Sequence, residues 1–340
     1  MPATLHDVSR LAGVSIKTVS NVINDYPYVS DSTRAKVLAA ISELDYTPNL
    51  SARSLRSGRT NVISLLIPEL RSAYFAELAD SVMRAASKRG LSVLIEQFGN
   101  DRESELSVLR NRRGRSVDGI LYSVLTLEES DRDVIAGLKA PTVLLGDRIF
   151  NGPTDHVTMQ NAEGARAATS LLLEHGRRRI VALGSHPGEV VGSGGLRLAG
   201  YREALDAAGV DVDERLMVPG GTWHRADGAQ AMREFLSRDI PFDGIVAFND
   251  TLALGALRVV QERGLRVPED VAIIGFDDLD ETNYSTPTLS TIDAGRDAIA
   301  QRAVELLVRR IEGADSSEVE EVAVPFRIIE RESTSLTRGV

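Results

Sequence analysis

From Asn61 onward one pattern repeats: short, nearly continuous apolar runs alternate with longer amphipathic segments. The strand-like runs are "NVISLLIPE", "LSVLIEQFG", "VDGILYSVL", "PTVLLGD", "RRIVALGS", "DGIVAFND" and "VAIIGFDD". Between them lie "AELADSVMRAASKRG", "GARAATSLLLEHG", "LAGYREALDAAGV", "GAQAMREFLSR" and "TLALGALRVVQERG". A strand apolar on both faces has to be covered on both, so this alternation predicts parallel sheets between helical layers. The pattern is too long for one core, which predicts two doubly wound lobes with a break near Asn161. A late helix, "RDAIAQRAVELLVRRIEG", aligns Ala300, Val304, Leu307 and Ile311, and a final strand "EVAVPFRII" follows. After "LSTID" (Leu289 to Asp293) the chain is expected to return to the first lobe and then cross again. The predicted lobes are about 61–160 with 293–320, and about 161–290 with 321–340.

Residues 1–47 read differently, as three short helices. "TLHD" is a capping box, Gly13 stops the first helix, Ser15 caps the second and Ser30 the third. Helix, glycine turn, helix is helix-turn-helix spacing. Periodicity places Leu5, Val8, Leu11, Val14, Val19, Val22, Ile23, Val37, Leu38, Ile41 and Leu44 in a small core. Pro48 ends the third helix, and 48–60, containing "NLSARSLRSGRT", reads either as a plain linker or as a short helix. Such a helix is below the roughly 12–15 residues that are even marginal in water, so it would need a partner.

Charge separates the two parts. The net charge of -10 opposes a phosphate backbone. Yet residues 1–60 hold seven Lys/Arg against five Asp/Glu, leaving 32 basic and 44 acidic side chains for the rest of a chain with 39 and 49. With no cysteine, disulfides and thiolate metal sites are excluded. There is no signal-like start and no run near the roughly 18 apolar residues of a membrane span, so a cytoplasmic protein without membrane contact is expected.

The second helix carries Lys17, Ser20, Asn21 and Asn24 on one stripe and Val19, Val22 and Ile23 on another. As a recognition helix it would point Lys17 at guanine O6/N7 and Asn21 at adenine N6/N7. Thr18 and Ser20 suit phosphate oxygens, and Ile16 a thymine methyl. The alternative is a solvated face with Ile16 tucked into the bundle. If two copies paired their hinge helices, Leu55, flanked by arginines, would be a minor-groove wedge; otherwise it packs between linker and core.

"TLHDVSRLAGVSIKTVSNVIN", "VSDSTRAKVLAAISELDYTPN" and "SARSLRSGRT" resemble the headpiece and hinge of the lactose-repressor (LacI/GalR) family. The resemblance continues through "AYFAEL", "VDGILY", "GLRLAGY", "FNDTLALGALR", "GLRVPEDVAIIGFDD" and "PTLSTI", and so covers nearly the whole chain. It implies an all-α helix-turn-helix headpiece on an α/β two-lobed periplasmic-binding-protein-like core with two doubly wound parallel sheets. It also implies a homodimer on double-stranded, pseudo-palindromic operator DNA, controlled by a small effector between the lobes. DNA contacts carried over are Thr4, Ile16, Lys17, Thr18, Ser20, Asn21, Asn24, Ala52, Arg53 and Leu55. Effector contacts are Tyr74, Phe75, Asp147, Gln160, Ser193, Arg197, Trp223, Asn249 and Asp277. Two positions depart from the family: Asn21 is often arginine in relatives, and Gln160 stands where many have aspartate.

Aspartate, asparagine, arginine and an aromatic ring in one cleft suit a polyol, by paired hydrogen bonds and ring stacking, so a sugar is the expected effector; a nucleobase or amino acid is the alternative. No catalytic constellation is found. "GSGG" lacks a phosphate loop's lysine and reads as a mobile cleft loop; His6, His156, His175, His186 and His224 lack metal-ligand spacing; no serine sits in a nucleophile elbow. No enzyme, metal or cofactor is expected. The tail "RESTSLTRGV" lacks heptads, which predicts a dimer rather than a tetramer. The rival reading is a solute-binding protein without DNA-binding activity.

Overall fold

The computed structural model describes residues 3–23, 26–46, 59–110, 117–186, 188–313 and 318–335. The chain divides into two compact units, Met1–Thr60 and Asn61–Val340. In the first, α1 (Leu5–Ala12), α2 (Ile16–Ile23) and α3 (Asp31–Glu43) surround buried Val8, Val19, Val22, Val37, Ala40 and Tyr46. Local chemistry sets the helix ends. Thr4 and Asp7 form a reciprocal capping box, and Gly13 closes α1 at φ 65°. The Oγ atoms of Ser15 and Ser30 accept the Thr18 and Thr33 amides. Leu11 and Leu38, expected inside, are 46% and 52% exposed. The slender seam is filled by valines, Ala40 and Tyr46, while Leu5, Val14, Ile23, Ile41 and Leu44 pack partly buried around it.

The second unit begins β1 (Val62–Ile67), α4 (Ala73–Ser87), β2 (Ser92–Gln97), α5 (Arg102–Arg110), β3 (Gly119–Ser123), α6 (Arg132–Ala136), β4 (Thr142–Leu145) and β5 (Asp155–Met159). It continues α7 (Asn161–Glu174), β6 (Ile180–Ser185), α8 (Ser193–Ala207), β7 (Met217–Pro219), α9 (Arg225–Leu236), β8 (Gly244–Ala247), α10 (Asp250–Glu262) and β9 (Ala272–Ile274). Last come β10 (Thr291–Asp293), α11 (Arg296–Ile311), β11 (Glu321–Val324) and β12 (Arg327–Ile329). One parallel sheet runs β11-β5-β4-β3-β1-β2 and a second β7-β6-β8-β9; β10 and β12 pair antiparallel. Among the described residues no helix is long and apolar enough to cross a membrane.

Strand alternation divides each sheet between two helical layers. In β1, Ile63, Leu65 and Ile67 share a cluster with Leu78 and Val82 of α4 and Ala303 and Leu307 of α11, whereas Leu66 turns to Leu106 and Leu109 of α5. In β6, Ile180 and Ala182 face α7 and α8, while Val181 and Leu183 face α9 and α10. Each such large aliphatic side chain contributes about 1.5–3 kcal/mol. The helix pairs approach closely through glycine: a Cβ on Gly200 would overlap the Ala162 carbonyl, and one on Gly255 the Arg225 carbonyl.

The final strand does not behave as expected. Residues 321–324 pair with β5 in the first sheet, and the chain crosses to the second lobe only after Val324. "EVAVPFRII" is two strands because Pro325 has no N–H for a continuing ladder. β5 itself, with buried Asp155, His156 and Thr158, has no counterpart among the apolar runs of the sequence.

Candidate functional site

On α2, Val19 and Val22 turn into the bundle, which leaves Lys17 exposed and Ile16, Thr18, Ser20 and Asn21 partly exposed. The Thr18 hydroxyl lies 2.9 Å from Ser15 Oγ, so one of its bonds is local. Thr4 is exposed, and its Oγ1 donates to Asp7 at 2.6 Å, which holds the Asp7 carboxyl below the usual range. Lys17 offers a cation and Asn21 a paired donor and acceptor on the open face. Asn24, Ala52, Arg53 and Leu55 lie outside the described residues.

In the second unit a cavity of about 350 Å³ opens between the lobes, at the lower end of the roughly 300–1,000 Å³ typical of small-molecule sites. It sits beyond the C-terminal ends of the parallel strands, where open α/β sheets leave a crevice. Tyr74, Phe75, Asp147, Ser193, Arg197, Trp223, Asn249 and Asp277 all line it. Gln160 does not. The chain turns there into α7, with the Gln160 carbonyl accepting the Gly164 amide at 2.9 Å, and β5 presents Thr158 and Met159 to the cavity instead.

Arg197, buried, organises the floor. Its Nε donates to Asn161 Oδ1 at 2.7 Å, Nη1 to the Phe248 carbonyl, and Nη2 lies 3.7 Å from Asp277 Oδ1. The guanidinium stacks 3.6 Å from the Phe276 ring centre and 5.4 Å from that of Trp223. Asp277 has φ 112°. Burial pushes its carboxyl up to about 7, against the opposing pull of Arg197 and Arg296. Trp223, at φ 65°, donates from Nε1 to the Gly184 carbonyl at 3.0 Å and stacks on His186 at 5.5 Å. Tyr74 stays a neutral phenol because burial raises its pKa.

Polar contacts join the lobes around the cavity. Ser193 Oγ donates to Asp147 Oδ2, whose other oxygen accepts from Thr158 Oγ1 at 3.0 Å. Arg148 Nη2 meets Glu189 Oε1 at 2.9 Å, and His224 Nε2 meets Glu69 Oε1 at 2.7 Å. Sequence reasoning missed Arg148, His186, Glu189 and Glu69; the available signal was the spacing of His186 and Glu189 just before the glycines. Among the described residues no group of three or more His, Asp or Glu side chains is arranged to hold a metal ion.

Residues 4–49 match the bacterial regulatory proteins of the lacI family, and residues 169–334 the periplasmic binding protein-like domain. The ribose operon repressor of Escherichia coli (strain K12) is 33% identical over 310 residues, 91% of this chain and 93% of that one. A putative transcriptional regulator of the LacI family from Sanguibacter keddieii is 48% identical with a TM-score of 0.74, covering 81% of this chain and 99% of that one. The lac repressor dimer bound to operator and the anti-inducer ONPF superposes with a TM-score of 0.85 at 28% identity, over 98% of this chain and 99% of that one. With a helix-turn-helix unit at one end, a two-lobed core holding a cavity, and this likeness along its length, the chain belongs to the lacI family of DNA-binding transcriptional regulators controlled by small molecules.

Proposed function

We propose that this regulator is a cytoplasmic homodimeric repressor of a pseudo-palindromic operator, and that its effector is a sugar held between the lobes. The observation that carries the sugar reading is the convergence of the Arg197–Asp277 pair and the Trp223 ring on one small cavity. Arg197 and Asp277 supply charge-assisted hydrogen bonds to hydroxyls, and Trp223 an apolar surface for a ring face. Tyr74, Phe75, Asp147 and Ser193 complete the contacts, and Asn249 acts by holding Trp223. The ribose operon repressor among the relatives supports this class, and the lac repressor dimer on operator supports the assembly.

The DNA-binding part is the headpiece 1–47 with the hinge 48–60. Lys17 and Asn21 read base edges, Ile16 a methyl, and Thr18 and Ser20 the phosphates; Thr4, Asn24, Ala52 and Arg53 are further DNA contacts, and Leu55 is the wedge. A ligand touching both lobes favours one interlobe angle, which changes the spacing of the two hinges in the dimer. Hinge helices that are stable only when paired on DNA convert that spacing into operator affinity. Selecting bound duplexes from a random pool, with and without a panel of sugars and nucleobases, tests the whole reading. No sequence preference removes the repressor, and a response to nucleobases alone removes the sugar.

A further inference from the structure

The mouth of the cavity holds a carboxylate already. Glu189 Oε1 accepts from Arg148 Nη2 at 2.9 Å and Oε2 from His186 Nδ1 at 2.9 Å, so one carboxylate lies between a cation of the first lobe and an imidazole of the second. His186 Nε2 faces the Gly221 carbonyl at 2.9 Å. Both ring nitrogens therefore meet oxygens that only accept, and a ring that satisfies both carries two protons and a positive charge. The imidazole is held in place by its stack on Trp223.

The carboxylate also rests against the start of α8. A Cβ at Gly192 or Gly194 would overlap its two oxygens, so these positions leave the space it fills, at the positive end of a 15-residue helix. Two cations, a helix N-terminus and a glycine-lined recess make an anion site. Its present occupant precedes two outward-facing valines, Val190 and Val191, 79% and 45% exposed, and lies between Gly188 and Gly192 at φ 81° and 103°. Withdrawing Glu189 removes the one carboxylate that Arg148 and His186 share.

We propose that the effector carries an anionic group, a carboxylate or a phosphate, which displaces Glu189 and binds Arg148, His186 and the N-terminus of α8. This rests on the reading of the cavity as the effector site and narrows the sugar to an acidic one. A neutral sugar would leave Glu189 in place and donate hydroxyl hydrogen bonds to its carboxylate, so the two cases differ in sign for Glu189→Gln.

The test uses full-length protein at constant ionic strength, with inorganic phosphate, D-gluconate, D-ribose 5-phosphate and D-ribose as probes. Phosphate should raise the unfolding midpoint of Glu189→Gln by about 2 °C more than that of wild type, and adding Arg148→Met should remove the gain. An acidic sugar should bind Glu189→Gln about tenfold tighter than wild type and Arg148→Met about tenfold weaker, while D-ribose gains nothing. Gluconate alone binding identifies a carboxylate, ribose 5-phosphate alone a phosphate. The anion site is overturned if phosphate favours Glu189→Gln no more than wild type, or if a neutral sugar binds wild type and is lost in that variant. If phosphate behaves as expected but no sugar of either kind binds, the anion site stands and the sugar reading fails. Should Glu189→Gln not fold, the Arg148→Met comparison in the wild-type background decides alone: equal affinity of acidic sugars for both proteins refutes the site.

Discussion

Asn249 Nδ2 donates to the carbonyl of Trp223 at 3.0 Å while Asn249 Oδ1 accepts the Leu252 amide at 2.8 Å. One amide therefore both starts α10 and fixes the backbone that carries the ring. That backbone lies at φ 65°, a region sparsely populated by residues other than glycine, and Thr251 Oγ1 donates to the same carbonyl. Serine caps a helix about as well as asparagine but cannot reach the carbonyl as a second donor. Asn249→Ser should therefore keep the thermal midpoint nearly unchanged and weaken the effector about tenfold, the loss expected for one buried hydrogen bond. Trp223 is the sole tryptophan, so its fluorescence reports the cleft directly. An unaltered emission spectrum and unaltered affinity in the variant would show that Trp223 holds its place without Asn249.

The Asp277 carboxyl sits where its charge state changes near neutrality, burial having pushed it up to about 7. If the carboxylate accepts from a ligand hydroxyl, affinity should climb as pH rises through about 7 and level off above it. One unit below that point binding should be about tenfold weaker. Stability runs the other way. With the folded-state value above the ordinary 3.8, the stabilising contribution of protonated Asp277 is complete below 3.8 and lost as pH rises through about 7. Calorimetric titrations across this interval check the first statement, and Asp277→Asn should flatten both profiles. A wild-type affinity independent of pH would separate Asp277 from the ligand.

Asn21 stands on the open face of α2, opposite Val19 and Val22. Asn21→Ala should cost about 1–3 kcal/mol at one base pair of each half-site and relax the preference there. Lys17→Ala should do the same at a guanine. Binding measured against a duplex library separates base reading from phosphate contact, because an equal loss on every sequence would make either residue a backbone ligand.

The two-lobed architecture was legible because its strands are apolar on both faces and its helices keep a regular stripe, so pattern and burial agree. Eight of the nine cleft residues that the family resemblance implies line the cavity, because its motifs fall in the loops and helix starts after the strands. What escaped depended on partners distant in sequence. β5 reads as polar because Asp155 and His156 are buried with partners elsewhere in the chain. Leu11 and Leu38 obey helical periodicity, yet the bundle is too thin to cover them. The role of Asn249 was hidden for a similar reason, since its carbonyl partner belongs to a turn of unusual conformation.

Asp155 shows what such a hidden partner is worth. Fully buried, it accepts from Arg310 Nε at 2.7 Å, from Arg310 Nη2 at 2.6 Å and from the Glu320 amide at 2.9 Å. Burial alone would raise its pKa, but the Arg310 and Glu320 hydrogen bonds outweigh that and hold it below the usual value. The pair thus ties α11 and the approach to β11 onto β5. Arg310→Met should cost about 3–5 kcal/mol, because it leaves a buried carboxylate without its cation. Replacing both residues, as Asp155→Val with Arg310→Met, should recover much of that loss by removing the stranded charge. The sign of the pH dependence follows: a depressed carboxyl stabilises the fold above its unfolded-state pKa, and that contribution fades as pH falls through the lower folded-state value. Urea unfolding of wild type, single and double variants measures the coupling. A double variant as unstable as the sum of the single ones would mean that the two side chains act independently.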